Sequence, residues 1–143
     1  MTTIKITNKL TPRLNSFSDD IWEIADMHRY GRKTDWKKQT KVIQAYEKEK
    51  LVGLLELTIE AGVMHIADLV VDYAHQKQDI GTNLMQQAEV VAQKEQVHKI
   101  FLEAGKDWDV RKFYERLGYI KTGDLPKHFA KQDYVEYTKF LNL

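Results

Sequence analysis

The chain has 143 residues, 43% hydrophobic and 30% charged, which is close to the ~150 residues of a single globular domain. Its 22 basic and 21 acidic residues leave a formal net charge of +1, so no global field draws in nucleic acid or an anionic membrane, and any anion site must be local. The absence of cysteine removes disulfides, thiolate metal sites and a cysteine nucleophile together.

No window approaches the ~18 apolar residues of a membrane span, and Met1-Thr2-Thr3-Ile4-Lys5-Ile6 has no long apolar signal segment. A soluble, unprocessed protein compatible with the cytoplasm is expected. Ile4 and Ile6 alternate with polar neighbours, which predicts a short first strand. Ser18, Asp19 and Asp20 offer caps for a helix carrying Ile21, Ile24, Ala25 and His28, and the polar run from His28 to Asp35 ends it. Trp36 is placed on a second short helix. Val42 to Tyr46 and Leu51 to Ile59 read as strands separated only by Glu47-Lys48-Glu49-Lys50, so they must be antiparallel. Glu60-Ala61-Gly62 turns the chain again into Val63 to Val71, completing a meander.

Next comes Leu69-Val70-Val71, then the polar Asp72 to Asp79, then Ile80, Leu84, Ala88 and Val91 at helical spacing, predicting a helix over about 80–95. A loop feeding a helix N-terminus aims unpaired backbone N–H groups and the positive end of the helix dipole at one point, which favours an anion such as phosphate. Lys99 to Ala104 follows as a strand. A helix is expected from near Asp107 with Val110, Phe113 and Leu117 on its apolar face and Gly118 as its stop. Tyr119 to Thr122 and Tyr134 to Phe140 close the chain as strands, with residues 123–133 a loop around Pro126. The expected order is β-α-α-β-β-β-α-β-α-β-β, an α+β fold of about seven strands and four helices in one domain spanning residues 1–143.

Two segments now stand together. Gln76-Lys77-Gln78-Asp79-Ile80-Gly81 forms the anion loop, and Asp107-Trp108-Asp109-Val110-Arg111-Lys112-Phe113-Tyr114-Glu115-Arg116-Leu117-Gly118-Tyr119 follows further along. With this strand order they resemble the GCN5-related N-acetyltransferase superfamily. Its pyrophosphate loop is written Q/R-x-x-G-x-G/A, and its later helix commonly reads N-x-x-A-x-x-F-Y-E-x-x-G-F. Asp79 stands at the first family glycine, and Asp107 at the common asparagine. Aspartate is one of the few residues other than glycine that tolerate φ > 0, so the loop geometry survives the exchange, while the carboxylate weakens anion binding and Lys77 partly offsets it.

The resemblance implies acetyl-coenzyme A as cosubstrate, lying across a splay between two parallel central strands. Leu69, Val70 and Val71 would pair with its pantetheine, and Gln76, Lys77, Gln78, Asp79, Ile80, Gly81 and Thr82 would hold its pyrophosphate. Asp107, Lys112 and Tyr114 of the second motif join this set. Tyr114 matches the family's usual acid, because a phenol with pKa near 10 stays protonated at neutral pH and can donate to a departing thiolate. From spacing alone the same tyrosine reads as a core aromatic beside Phe113. His65 and Asp68 lie on the strand where the family sometimes places a base. Period-two alternation sets them on opposite faces, so at most one is expected to meet the substrate.

His28, Arg29, Arg32, Lys33, Lys37 and Lys38 stand against Asp35 in a segment that lines the acceptor site in this superfamily, which suits an acceptor carrying a carboxylate or phosphate. Tyr30, Trp36, Phe129 and Tyr134 are candidate walls of that site.

The expected activity is transfer of an acetyl group to a primary amine of a small molecule or protein by direct attack. The rival is a non-catalytic acyl-coenzyme A binding module of the same fold. A nucleotide-binding reading fails for want of a G-x-x-x-x-G-K-[ST] or complete G-x-G-x-x-G run. No metal site is expected, because His28, His65, His75, His98 and His128 show no H-x-x-x-H or H-E-x-x-H spacing. Neither nucleic acid nor membrane is an expected partner; a homodimer is a candidate by analogy with the superfamily.

Overall fold

A computed structural model of the chain describes residues 1–141, and the chain divides into two compact units, one of residues 1–36 and one that begins at Lys37. The first unit is built on helix α1, Pro12–Tyr30. It starts earlier than the Ser18–Asp20 acids suggest, because Thr11 caps it by accepting a hydrogen bond from the Leu14 N–H at 3.3 Å and Pro12 supplies a preset φ at the first position. Gly31 ends it in the left-handed region at φ 67°, where its N–H reaches the Met27 carbonyl.

The expected first strand is not formed. Ile4 and Ile6 stay 82% and 95% exposed, and two isolated apolar residues have too little surface to hold an extended segment in place. Nor does Trp36 lie on a second helix. Its indole N–H instead donates to Asp26 Oδ2 at 2.7 Å, and its ring packs on Trp22 with centroids 5.9 Å apart.

The second unit is one six-stranded sheet of β1 (Gln39–Glu47), β2 (Lys50–Glu60), β3 (Val63–Val71), β4 (Lys99–Gly105), β5 (Ile120–Leu125) and β6 (Tyr134–Phe140), in the order β1-β2-β3-β4-β6-β5. The meander is as expected, with β1, β2 and β3 antiparallel in turn. Among the described residues only β3 and β4 run parallel, joined by helix α2, Ile80–Lys94. Among the described residues the sheet thus has one strand fewer than the expected seven. Its helices are α1, α2 and the short α3 (Arg111–Arg116), with 3-10 turns at Tyr73–His75 and Phe129–Lys131.

α2 lays Leu84, Met85, Ala88 and Ala92 on Leu55, Leu57, Ile59, Met64, Ile66, Ile100 and Leu102 of the central strands, all of them almost fully buried. Gly53 permits this close seat, since a Cβ there would lie 2.9 Å from Ile80 Cγ2 and 3.1 Å from Leu84 Cδ1. α3 begins later than the sequence suggests, because Asp107 to Val110 form a turn in which the Trp108 N–H returns to the Gly105 carbonyl at 3.1 Å and its indole folds over Gly105. β5 in turn continues through Gly123 to Leu125, inside the stretch expected to be loop. No helix among the described residues is long and apolar enough to cross a membrane.

Candidate active site

The parallel contact between β3 and β4 lasts only from Val63, Met64 and His65 to Lys99, Ile100 and Phe101. Beyond it β3 keeps its partners on β2 while β4 keeps those on β6, so the sheet opens into a gap between the later halves of β3 and β4. Leu69, Val70 and Val71 line one edge of that gap. Leu69 and Val71 pack on the core and Val70 is exposed, and among the described residues the backbone of this segment has no partner strand on the β4 side.

A bulge shapes the same strand. Ile66 pairs with Leu57 and Asp68 with Glu56, so Ala67 is the extra residue and the alternation slips by one. His65, opposite Thr58, and Asp68, opposite Glu56, therefore share a sheet face instead of lying on opposite faces as strict alternation requires. On that face His65 Nε2 meets Glu103 Oε2 at 2.7 Å, and its ring stacks on Phe101 at 4.6 Å and 14°. A carboxylate can only accept, so this contact places a proton on His65 Nε2. Glu103 was not singled out from the sequence. The available signal was an acid alternating with the buried Leu102 and Ala104 on a central strand.

Tyr114 lies on the other side of the gap. Its ring packs against Phe113 at 5.0 Å, Tyr137 at 5.3 Å and Tyr119 at 6.0 Å, and Tyr137 pairs with Leu102 on the face that α2 covers. Burial, then the neighbouring Tyr137 phenol, pushes its pKa up to about 12, so it stays protonated at every physiological pH. The ring is therefore a core aromatic, as the helical spacing suggests.

The anion loop sits at the open end of β3. Asp72 begins the 3-10 turn by accepting from the Ala74 N–H at 3.4 Å, and the Gln76 side-chain amide donates to the Val71 carbonyl at 3.3 Å. Lys77 and Asp79 both take left-handed backbone, at φ 67° and 61°. Asp79 therefore adopts the conformation that the family glycine provides, and its side chain makes no capping hydrogen bond to α2. Ile80, Gly81 and Thr82 occupy the first turn of α2, where their N–H groups have no intrahelical acceptor; the first such bond is Asn83 N–H to the Asp79 carbonyl at 2.9 Å. A Cβ on Gly81 would lie 3.4 Å from the Phe113 ring and 3.9 Å from Val71 Cγ2. The loop, the end of β3 and the α3 segment carrying Tyr114 thus meet at one place. Asp107 and Lys112 are exposed, Asp107 in the turn before α3 and Lys112 in its first turn.

A mixed sheet opened between two parallel strands, with an anion loop at the open end, is the arrangement that the sequence resemblance implies for a coenzyme A-dependent acyltransferase. The family model described as the acetyltransferase (GNAT) domain matches residues 15–141, and the chain belongs to that family. No curated protein matches the sequence. Among solved structures, an acetyltransferase from Bacillus cereus superposes with a TM-score of 0.71 at 19% identity, covering 96% of this chain and 98% of its own. A GNAT family acetyltransferase from Elizabethkingia anophelis with acetyl-CoA bound gives 0.67 at 17%, covering 71% and 76%. The PaiA N-acetyltransferase from Thermoplasma acidophilum in complex with coenzyme A gives 0.64 at 20%, covering 90% and 69%. At these identities the structural matches establish the fold.

Proposed function

We propose that this protein is an acetyl-coenzyme A-dependent N-acetyltransferase whose acceptor is a primary amine on a small molecule or protein. The observation that carries the reading is the gap between β3 and β4, flanked by Tyr114 on one face and the His65–Glu103 pair on the other, with the anion loop at its open end. The N–H groups of Ile80, Gly81 and Thr82 receive the pyrophosphate together with the dipole of α2, and Lys77 adds a positive charge. The unpaired backbone edge of Leu69 to Val71 takes the pantetheine. Acetyl-coenzyme A supplies an activated acyl carbonyl and a thiolate leaving group.

His65 Nδ1 takes the proton of the incoming amine while Glu103 stabilises the imidazolium that forms, and Asp68 on the same face adds a negative charge for a cationic acceptor. Tyr114 donates a hydrogen bond to the leaving sulfur. With a phenol pKa of about 12 against ~8.5 for a thiol, full proton transfer would run uphill by about 5 kcal/mol, so its part is that of a hydrogen-bond donor. A cytoplasmic location belongs to the same proposal, since the chain contains no cysteine and needs no oxidising compartment.

The test is thermal stability with acetyl-coenzyme A, followed by thiol release with a panel of primary amines. Binding to the native state should raise Tm, and His65→Gln and Glu103→Gln should each lower kcat by about 100-fold while leaving that shift intact. No Tm shift at millimolar ligand would reject the proposal, and unchanged turnover in both variants would remove the pair from the chemistry.

A further inference from the structure

We infer that His75 is a positioning residue for the anion loop, its imidazole clamping the first turn of the loop onto the hairpin between β1 and β2. The inference rests on the acyl-donor role proposed for that loop. His75 Nδ1 lies 2.9 Å from Asp72 Oδ2, and Nε2 lies 2.6 Å from Glu47 Oε2 at the end of β1. Its side chain is only 16% exposed, although the Glu47 side chain beside it is 60% exposed. Both contacts bring a ring nitrogen to a carboxylate oxygen at a separation that only a shared proton makes favourable. A neutral imidazole has one N–H, and the imidazolium has two. The two contacts together are therefore those of the protonated ring.

The charged groups around this ring come from three directions: Glu47 from β1, Lys50 from β2 and Asp72 from the loop itself. Lys50 Nζ lies 3.5 Å from Asp72 Oδ2. Hydrogen bonding to His75 is the main influence holding the Asp72 carboxyl below its usual range, ahead of the Ala74 N–H. With the imidazolium in place these four groups sum to zero charge. Once it loses its proton, one carboxylate contact becomes repulsive and a net negative charge remains beneath a loop that must receive a diphosphate.

The loop needs such a hold. Lys77 and Asp79 sit in left-handed conformations that side-chain-bearing residues disfavour, and such backbone persists only where surrounding contacts over-determine it. On the side preceding these residues, the contacts include the His75 clamp, the Gln76 amide on Val71 and the His75 N–H to the Asp72 carbonyl at 2.8 Å. The clamp reaches β1; the Asp72 N–H to the Val52 carbonyl at 2.8 Å and the Lys50–Asp72 pair tie the start of the loop to β2, and the Gln76 amide ties it back to the end of β3.

The experiment measures coenzyme A affinity by calorimetry from pH 5.5 to 9 for the wild-type chain, His75→Gln and Glu47→Gln, alongside hydrogen exchange of the amides of residues 74–80 without ligand. The second ionisation of the ligand's phosphomonoester is common to all three proteins and cancels in their ratios. Wild-type Kd should rise roughly five- to tenfold relative to both variants from the acid to the alkaline end, the ordinary scale of coupling between two sites. Exchange, corrected for its intrinsic pH dependence, should quicken over the same range in the wild type alone. Parallel affinity profiles in wild type and His75→Gln would overturn the inference, as would exchange in the wild type that does not respond to pH. If coenzyme A binds at no pH, the donor role of the loop fails, and the exchange data then decide the clamp on their own.

Discussion

Asp79→Gly separates the shape of the anion loop from its charge. The residue stands at the start of α2 with φ 61° and ψ 15°, and its carboxylate makes no capping hydrogen bond, so the substitution removes no such bond. Relief of left-handed backbone stabilises the variant by about 1 kcal/mol, the low end of the scale for a residue whose short polar side chain tolerates that region. Glycine's greater freedom in the unfolded chain costs about 0.4–1 kcal/mol, and losing a negative charge at a helix N-terminus costs about 0.3–1 kcal/mol. These terms nearly cancel, so the ligand-free Tm should move by only a few degrees. Ligand binding has no such cancellation. The carboxylate that favours the empty helix terminus repels a phosphate arriving there, and removing ~1 kcal/mol of repulsion tightens Kd by about fivefold. Titration calorimetry with coenzyme A at low and high salt reads both the gain and its shrinkage as screening increases. Weaker binding by a variant of unchanged Tm would refute the reasoning and assign the Asp79 carboxylate a constructive contact with the ligand.

Tyr114→Phe should lower kcat about 100-fold with little change in KM for acetyl-coenzyme A, because the phenol acts on the leaving sulfur mainly in the transition state; steady-state kinetics on a preparation of checked Tm measures it. Alkaline denaturation supplies an independent check on the same residue. Its pKa is raised by burial to about 12, so the neutral phenol favours the folded state; that contribution, about 3 kcal/mol, is fully present below pH 10 and lost as pH rises through 12. Alkaline unfolding followed by circular dichroism should therefore show this loss of stability in the wild type and not in Tyr114→Phe. Gly53→Ala places a methyl 2.9 Å from Ile80 Cγ2 and so displaces the first turn of α2; the expected outcome is a several-fold weaker Kd for coenzyme A with a stability loss of about 1–2 kcal/mol, measured by calorimetry and urea unfolding.

Elements whose signal is local were legible in the sequence. The two hairpins, the helix after the anion loop and the final strand follow from alternation, turn residues and helical spacing, and all of them form. The family was legible as well, because the loop and the Phe113–Tyr114 segment carry it in short runs. What escaped was decided by contacts distant in sequence. Ile4 and Ile6 alternate correctly, yet a strand exists only where another strand accepts it. The start of α3 moved because Trp108 found a seat over Gly105. The bulge at Ala67 has no local signature, and it changes the site most, by turning Asp68 onto the face of His65. Glu103 gained its importance from that face, opposite a histidine far from it in the chain.

The most direct test of the account is the crystal structure of the complex with acetyl-coenzyme A. The pyrophosphate should lie within about 3 Å of the N–H groups of Ile80, Gly81 and Thr82, the pantetheine should pair with the edge of Leu69 to Val71, and the thioester should sit in the gap with the Tyr114 hydroxyl in hydrogen-bonding reach of its sulfur. Ligand density outside that gap, or a gap closed by continued pairing of β3 with β4, would contradict it.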